Sequence, residues 1–430
     1  MAEGFLQTEH LRSHINMETT GSKNFNLLLR NSLLQVARSD DYDNITHCNM
    51  HDLVHDLAFS ILCENVTDGV CQCMYIGYEP SGDGFLSIPK GQERYVRTLF
   101  FSGKVSDIRF SDFESLRTLT LLSEEDFDEL PTSVRELKHL RYLDISKTKI
   151  RSLPDSIGEL YHLQTLRVEN EQKYGYLGKL PDSLSCLISL RHLHVPNRTT
   201  LPTEIGKLTS LQTLPHFHVG SEKRCGISEL GNLKDLKGKL IIHNLENVRD
   251  KNEAMSADLF GKSGIYVLRL VWDKNKIGED ANVESVLEGL QPHPDLKSLA
   301  ICGFKGKSLS LCEGLNNLVK IKLEDCCECE ELPMVGHLPH LKYLYLRRLT
   351  NVKSIRCSFY GNVDVFPELE RLELCDMPNL KEWDDMVVFP RLKYLKIYKC
   401  MQLGRAPSDF PCLEELEIDG MESSLALENI

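Results

Sequence analysis

Residues Leu140–Ile145 read LRYLDI, an apolar–polar pattern of the form L-x-x-L-x-L. The same pattern returns as LQTLRV from Leu163, LRHLHV from Leu190, LKSLAI from Leu296, LVKIKL from Leu318, LKYLYL from Leu341, LERLEL from Leu369, LKYLKI from Leu392 and LEELEI from Leu413. Looser copies are VRTLFF from Val96, LRTLTL from Leu116, LQTLPH from Leu211, KGKLII from Lys237 and IYVLRL from Ile265, giving 14 candidate units. Successive starts lie 20 to 28 residues apart, except for the 31 between Ile265 and Leu296, which suggests an insertion.

Alternation over six positions predicts a short strand with one buried face. A repeat of roughly 20–29 residues built on such a strand is a leucine-rich repeat, whose units bury their leucines only against their neighbours and so stack into a solenoid. The segments between strands repeat too. LPTSVREL from Leu130, LPDSIGEL from Leu153, LPDSLSCL from Leu180 and LPTEIGKL from Leu201 share L-P-x-S/E-apolar-x-x-L. Proline there starts a short helical turn, and the apolar residues return to the core. The expected fold is therefore α/β, a leucine-rich-repeat solenoid (horseshoe) over residues 93–430.

Residues before 93 do not repeat. Phe25, Leu28, Leu29, Ser32, Leu33 and Val36 fall on one helical face, as do Met50, Leu53, Val54, Leu57, Ala58 and Ile61. Between them, SLLQVARSDDYDNITHCNM predicts a strand, a polar turn at Ser39–Asn44 and a return strand. Helix, two-stranded wing and helix resemble the end of a winged-helix module over residues 1–64, truncated at its start and mostly α. Residues 65–92 read as a connector.

With 41% hydrophobic but only 7% aromatic residues, 68 leucines and a mean hydropathy of −0.26, the composition points to a repetitive leucine core and not to a membrane protein. No run of 18 apolar residues exists to span a membrane. The N-terminal MAEGFLQTEHLRSH lacks the basic and apolar regions of a secretory signal. The odd number of cysteines, 15, then reads as reduced thiols in a cytoplasmic or nuclear protein. A net charge of −13 argues against sequence-blind nucleic-acid binding.

Few motifs suggest chemistry. Met50-His51-Asp52 opens the second predicted helix, with Asp52 or Asn49 as the expected N-cap. A helix start favours a phosphate, and a histidine there can donate to one; an ordinary solvated helix start is the plainer reading. His51 and His55 stand one turn apart, but further metal ligands are lacking. Gly303–Ser308 ends in Gly-Lys-Ser, yet Ile301 stands where a phosphate loop needs its first glycine, so a basic bend is expected. Cys326-Cys327-Glu328-Cys329 and Cys71-Gln72-Cys73 form no paired zinc set. Cys326 and Cys400 instead fall eight residues after Leu318 and Leu392, in the slot where leucine-rich repeats place Asn or Cys to hold the bend, and Thr148 is equivalent after Leu140. No catalytic residue or metal ligand is predicted.

The outward strand positions remain. Arg141, Tyr142, Arg167, Arg191, His192, His194, Lys342, Tyr343, Tyr345, Arg371, Tyr394 and Lys396 are expected on the concave face, facing solvent, as a partner-binding surface rich in Arg and Tyr.

These phrases together resemble the C-terminal part of plant nucleotide-binding leucine-rich-repeat (NB-ARC–LRR) disease-resistance proteins of the coiled-coil type. MAEGFLQ and NFNLLLRNSLLQ are similar to that family's winged-helix region, CNMHDLVHDLA matches its MHD motif, and LPDSIGELYHLQTL, LIIHNLENV and LKYLKIYKC resemble its repeats. The resemblance implies that His51, flanked by Met50 and Asp52, contacts the β-phosphate of ADP and holds the receptor off. It implies that the repeats sense a pathogen effector or a guarded host protein, and restrain an NB-ARC module in the same chain or in trans. Exchange of ADP for ATP then drives oligomerisation. The coiled coil, phosphate loop and most of the nucleotide-binding module are missing from the sequence, so this chain alone is expected to bind no nucleotide stably and to be no enzyme. The other readings are a repeat adaptor without nucleotide function, or a nucleotide-switch ATPase if the upstream module belongs to the full-length product.

Overall fold

The computed structural model describes residues 2, 17–40, 42, 44–57, 75–78, 91, 93–102, 109–122, 129–168, 177–273, 283–309, 314–333, 335–355, 366–383, 387–404, 407 and 409–420. The chain divides into two compact units, Met1–Leu177 and Gly178–Ile430.

The first unit opens with α1 (Met17–Arg30), followed by the antiparallel hairpin of β1 (Leu34–Ser39) and β2 (Ile45–Met50). A helix, α2, follows directly, described over residues 52–57. The predicted first helix was to carry its apolar face as far as Val36. It stops earlier because Ser32 turns left-handed (φ 57°), and the Leu33 N–H closes the end on the Leu28 carbonyl at 3.0 Å. Val36 then sits in β1. The hairpin turn is held by Asp40, whose Oδ1 accepts the Tyr42 and Asn44 N–H groups at 2.9 Å each.

The repeats of this unit supply β3 (Tyr75–Tyr78), β4 (Thr98–Ser102), β5 (Thr118–Leu122), β6 (Tyr142–Lys147) and β7 (Thr165–Arg167), paired in parallel in chain order. Tyr75–Tyr78 lies within the stretch read as a connector, yet it pairs with β4 and begins the sheet one strand earlier than the leucine pattern shows. Leu140, Leu143 and Ile145 are fully buried, with Leu119 and Leu121 on one side and Leu163, Leu166 and Val168 on the other. The prolines act as the sequence suggests. Pro131 and Pro154 (φ −60° and −72°) immediately precede the 3₁₀ turns Thr132–Glu136 and Asp155–Glu159, and their carbonyls accept the Val134 and Ile157 N–H groups at 3.0 Å. Buried Thr148 donates its hydroxyl to the Ile145 carbonyl at 2.7 Å, filling the slot predicted for it.

In the second unit the strands are β8 (His192–His194), β9 (His216–His218), β10 (Gly238–His243), β11 (Ile265–Val271), β12 (Ser298–Cys302), β13 (Lys320–Glu324), β14 (Tyr343–Arg347), β15 (Ser354–Ile355), β16 (Arg371–Cys375), β17 (Glu382–Trp383), β18 (Tyr394–Tyr398) and β19 (Glu415–Asp419). From β9 to β19 they form one parallel sheet in chain order, apart from β15 and β17, which pair with each other. Short helices α3 (Lys251–Met255) and α4 (Val283–Gly289) lie between repeat strands, and the Asp250 side chain caps α3 by accepting the Glu253 N–H at 2.9 Å.

Strands β10, β12, β13, β14, β16, β18 and β19 are each followed by one left-handed residue: Asn244, Gly303, Asp325, Arg348, Asp376, Lys399 and Gly420. Its N–H reaches across to the last carbonyl of the next strand, as in Gly303 to Glu324, Asp325 to Arg347, Arg348 to Cys375, Asp376 to Tyr398 and Lys399 to Asp419, at 2.8 to 3.0 Å. The following residue drops into the core, and Cys326, Leu349, Met377 and Cys400 are all fully buried. The predicted thiol role holds: Cys326 Sγ lies 3.5 Å from the Glu324 carbonyl and Cys400 Sγ 3.6 Å from that of Tyr398. At the last described strand, Leu416 and Ile418 are each 39% exposed, whereas Leu395 and Ile397 before them are fully buried.

Two substitutions test this scaffold by urea unfolding. Ile321→Ala, at a fully buried strand position, is expected to cost about 2–5 kcal/mol. Gly303→Ala puts a Cβ 2.4 Å from the Trp272 carbonyl oxygen at a φ of +70°, and is expected to cost on the order of 1–3 kcal/mol; no loss would show that the left-handed turn is not a constraint.

Candidate functional site

Two places were singled out by sequence, and they lie on different elements. At the first, Met50 ends β2 and His51 precedes α2, all three of Met50, His51 and Asp52 being exposed. The N-cap is His51, not Asn49 or Asp52: Asn49 is paired with Gln35 within the hairpin. The His51 carbonyl accepts the Val54 and His55 N–H groups at 2.9 Å, and its Nδ1 lies 3.2 Å from the Leu53 amide. An imidazole nitrogen that accepts carries no proton, so the hydrogen-bond pattern assigns the proton to Nε2. His51 thus keeps a single N–H donor at a helix start, whose positive end favours an anion. His55 pairs with its neighbour Asp56 at 3.5 Å. Among the described residues, no three His, Cys, Asp or Glu side chains converge as a metal set.

The second place is the outward face of the repeat strands. In the first unit, half-buried Tyr142 donates its hydroxyl to Asp144 at 3.1 Å, and Arg167 lies 4.0 Å from the same carboxylate. Burial, and then the Asp144 charge, push the Tyr142 phenol above its ordinary range. Arg141 reaches the Ala2 carbonyl at 3.5 Å.

In the second unit, Arg191, His192 and His194 are half-buried, and His192 Nδ1 lies 3.0 Å from the Thr213 hydroxyl. Lys342 pairs with Glu370 at 3.4 Å, and the Lys320 ammonium stands over the rings of Tyr343 and Tyr345 at 5.9 and 5.2 Å. Arg371 bonds Glu373 at 2.8 Å and covers the ring of Tyr394 at 3.6 Å, while Lys396 pairs with Glu417. Tyr394 therefore differs from expectation. It is 9% exposed, sealed by the guanidinium stacked on it. The other candidates are partly buried, with part of each side chain reaching solvent.

Sequence reading missed the strongest charge network. Glu324, 9% exposed, lies 2.8 Å from Lys322, 3.0 Å from Arg348, 3.6 Å from Arg269 and 3.7 Å from Arg347. Burial alone would raise its pKa, but the Lys322 hydrogen bond and the Lys322, Arg348 and Arg269 charges win and hold it below the usual carboxylate range. Arg348 also grips Asp325 with two nitrogens. The signal was present: Asp325 and Arg348 occupy the same left-handed slot of successive repeats.

Also missed were His216, His218 and His243. Pro215 interrupts the strand of the Leu211 unit: Thr213 bridges His192, and the strand continues as His216–His218 with His216 and His218 outward. The rings of His218 and His243 stack at 4.4 Å, and His216 Nδ1 lies 3.3 Å from His243 Nε2. Burial, with Lys239 and His218 adding, lowers His216 to about 4; burial, with the other two histidines and Arg269, lowers His243 to about 3; burial alone lowers His218.

The remaining motifs are structural. The amides of Lys307 and Ser308, in the Gly-Lys-Ser bend, donate to Glu284 Oε1 at 2.9 and 3.1 Å, so a carboxylate occupies the position a phosphate would need. Burial pushes the thiols of Cys329 and Cys400 up to about 11, far from the thiolate a metal requires. Cys71 and Cys73 lie outside the described residues.

The family model described as a leucine-rich repeat region matches residues 95–429, and the disease resistance protein winged helix domain matches residues 1–58. The chain belongs to the leucine-rich-repeat disease resistance proteins of plants. It is 32% identical to disease resistance protein RGA2 of Solanum bulbocastanum, over 93% of this chain and 41% of that protein. To the RPP13-like protein 1 of Arabidopsis thaliana it is 32% identical, over 97% of this chain and 43% of that one. The chain thus spans about two fifths of the length of the curated relatives it matches. Among solved structures, a leucine-rich-repeat protein of Leptospira interrogans is 18% identical with a TM-score of 0.47, over 85% of this chain and 94% of that chain. Among the described residues, no helix is long and apolar enough to cross a membrane.

The histidine cluster gives a pH dependence. Free histidine titrates near 6.5, above the folded values, so on acidification the unfolded chain takes up protons first. This stabilisation is present above about pH 6.5 and is lost as pH falls from there towards 4, and towards 3 for His243. The urea midpoint is therefore expected to fall between pH 7 and pH 5 (ahead of the carboxylates), and His243→Gln to flatten that fall by on the order of 1 kcal/mol after allowance for solvent screening. An unchanged slope in the variant would refute the assignment.

Proposed function

We propose that this chain is the recognition and regulatory region of an intracellular plant immune receptor. In this reading the repeat face binds a pathogen effector or a guarded host protein, in the cytoplasm or nucleus. The winged-helix segment reports the nucleotide state of an NB-ARC module, in the same chain or in trans. The observation that carries the proposal is the pairing of a disease-resistance winged helix over residues 1–58 with a repeat region over residues 95–429. Leucine-rich repeats present extended concave surfaces for protein binding, and the outward Arg, Lys and Tyr residues are the types that anchor interfaces.

The geometry of His51 supports the nucleotide part. Its Nδ1 is taken up by the helix cap, which orients the ring and leaves Nε2–H as a donor. ADP supplies phosphate oxygens that such a donor, at the positive end of a helix, would hold. A contact of this kind favours the ADP-bound resting state, and the chain itself contributes no step of hydrolysis.

The test is to join the chain to the complete nucleotide-binding module of a relative and express it in leaf tissue. His51→Val or Asp52→Val is expected to give signalling without an effector, because the resting state loses a contact, while the parent fusion stays silent. If both variants are as silent as the parent, the regulatory role of His51 is wrong.

A further inference from the structure

The outward face of the second unit changes character along the stack. Strands β8 to β12 read HLH, HFH, GKLIIH, IYVLRLV and SLAIC, and hold no Asp or Glu, in a chain of net charge −13. They carry five histidines instead. Carboxylates return at β13 and recur at β16 and β19.

Three of these histidines, His216, His218 and His243, form the cluster across β9 and β10. The full charges that bear on it are positive, Lys239 on His216 and Arg269 on His243, and no carboxylate among the described residues bears on any of the three rings. On the β8 side stand Arg191, His192 and His194, again without a carboxylate. The carboxylates that follow these strands are engaged elsewhere. Glu222, after β9, bears on the Cys225 thiol, Glu246 accepts the Asp273 amide at 2.9 Å, and Glu324 is held by Lys322 and Arg348. Exposed Lys239 joins no ion pair among the described residues, and the buried Nδ1 of His218 has no partner among them.

A proton on this cluster therefore meets burial and like charge but no anion, which holds His216 at about 4 and His243 at about 3. A carboxylate brought from outside reverses that balance. A metal ion would add a further positive charge, and the His218 and His243 rings lie face to face within 9° of parallel, so their nitrogens do not converge on one point.

We propose that His216, His218 and His243, with Lys239 beside them, receive an acidic segment of a partner protein, and that the cluster takes up a proton from solvent as the segment binds. The proposal rests on the reading of the repeat face as a protein-binding surface and names what one part of it selects. A carboxylate beside an imidazole favours its charged form. The bound cluster then titrates higher than the free one, so by linkage affinity rises as pH falls from 7.5 to 5.5. The carboxylates of the segment titrate at about 4 and stay ionised over that range.

The test is selection of random displayed peptides on the full chain at pH 5.5, followed by titration of the selected peptides at pH 5.5 and 7.5. The baits for titration are the parent, Lys239→Glu, a double His216→Gln and His243→Gln variant, Tyr345→Ala, and Lys234→Glu, which makes the same change of net charge at an exposed position off the strands. Lys239→Glu leaves every imidazole in place and changes an exposed side chain, so it serves if the histidine variant disturbs the fold. The expected peptides are rich in Asp or Glu and bind about threefold or more tighter at pH 5.5 than at pH 7.5. Lys239→Glu is expected to weaken them about fivefold or more, by losing an attraction and adding a repulsion. Lys234→Glu leaves them unchanged, and the double histidine variant loses the pH dependence. Acidic peptides that bind Lys239→Glu undiminished, or whose pH dependence survives in the double variant, overturn the assignment. If the peptides are not acidic and depend on Tyr345 instead, the recognition surface stands and only the histidine patch is wrong. Enrichment of no peptide overturns both.

Discussion

A leucine on a repeat strand can leave water only by touching the leucines of the repeats beside it. Each strand is too short to have a core of its own: Leu344 and Leu346 are 5% and 3% exposed because Ile321 and Leu323 lie beneath them and Leu372 and Leu374 above. Everything else follows from keeping that column in register. The parallel ladder fixes the spacing along the stack. From β12 to β18 the left-handed residue after each strand of the main sheet then turns the chain back into the core while spending its amide on the next repeat. A left-handed turn costs a non-glycine residue free energy, yet Asp325, Arg348, Asp376 and Lys399 accept it. The hydrogen bond each makes to its neighbour offsets that cost.

This is also why the repeats were legible in the sequence and their displacements were not. The inward positions must be apolar at a fixed period, so the strands of most units could be placed from the leucines alone. Register across a disturbed unit carries no such signature. The phrase LQTLPHFHV offers its leucines where the pattern expects them, but Pro215 has no N–H for the ladder, and the strand resumes at His216. Three histidines thereby come together that are 25 to 27 residues apart in the chain, as His218 and His216 are from His243. Likewise, Tyr75–Tyr78 forms a strand without any L-x-x-L-x-L phrase, so its pairing with β4 was invisible beforehand.

At the N-terminal segment the elements were readable, but the chemistry of one residue was not. Periodicity marks where a helix begins only to within a few residues, and oxygen-bearing side chains are the usual caps. His51 takes that place because Asn49 is held by the hairpin and the chain leaves β2 at Met50. The outward face shows the same limit. Alternation correctly says which side chains leave the core, but not which then cover one another. Arg371 lies on Tyr394 because the register of β16 and β18 sets them side by side.

The exposed and the nearly buried residues of the outward face answer to different physics, and this constrains how that face can change. Replacing an exposed, singly paired residue such as Lys342 alters the surface at little cost, since surface ion pairs contribute about 0–1 kcal/mol. Glu324 is different. It is outward by pattern but nearly buried, and removing it would leave Arg269, Lys322 and Arg348 facing one another without their shared anion. Breaking such a group costs more than an exposed pair contributes. The network therefore behaves as part of the scaffold although it stands on the outward face of the strands. The outward face can thus vary at its singly paired positions while the residues around Glu324 stay fixed.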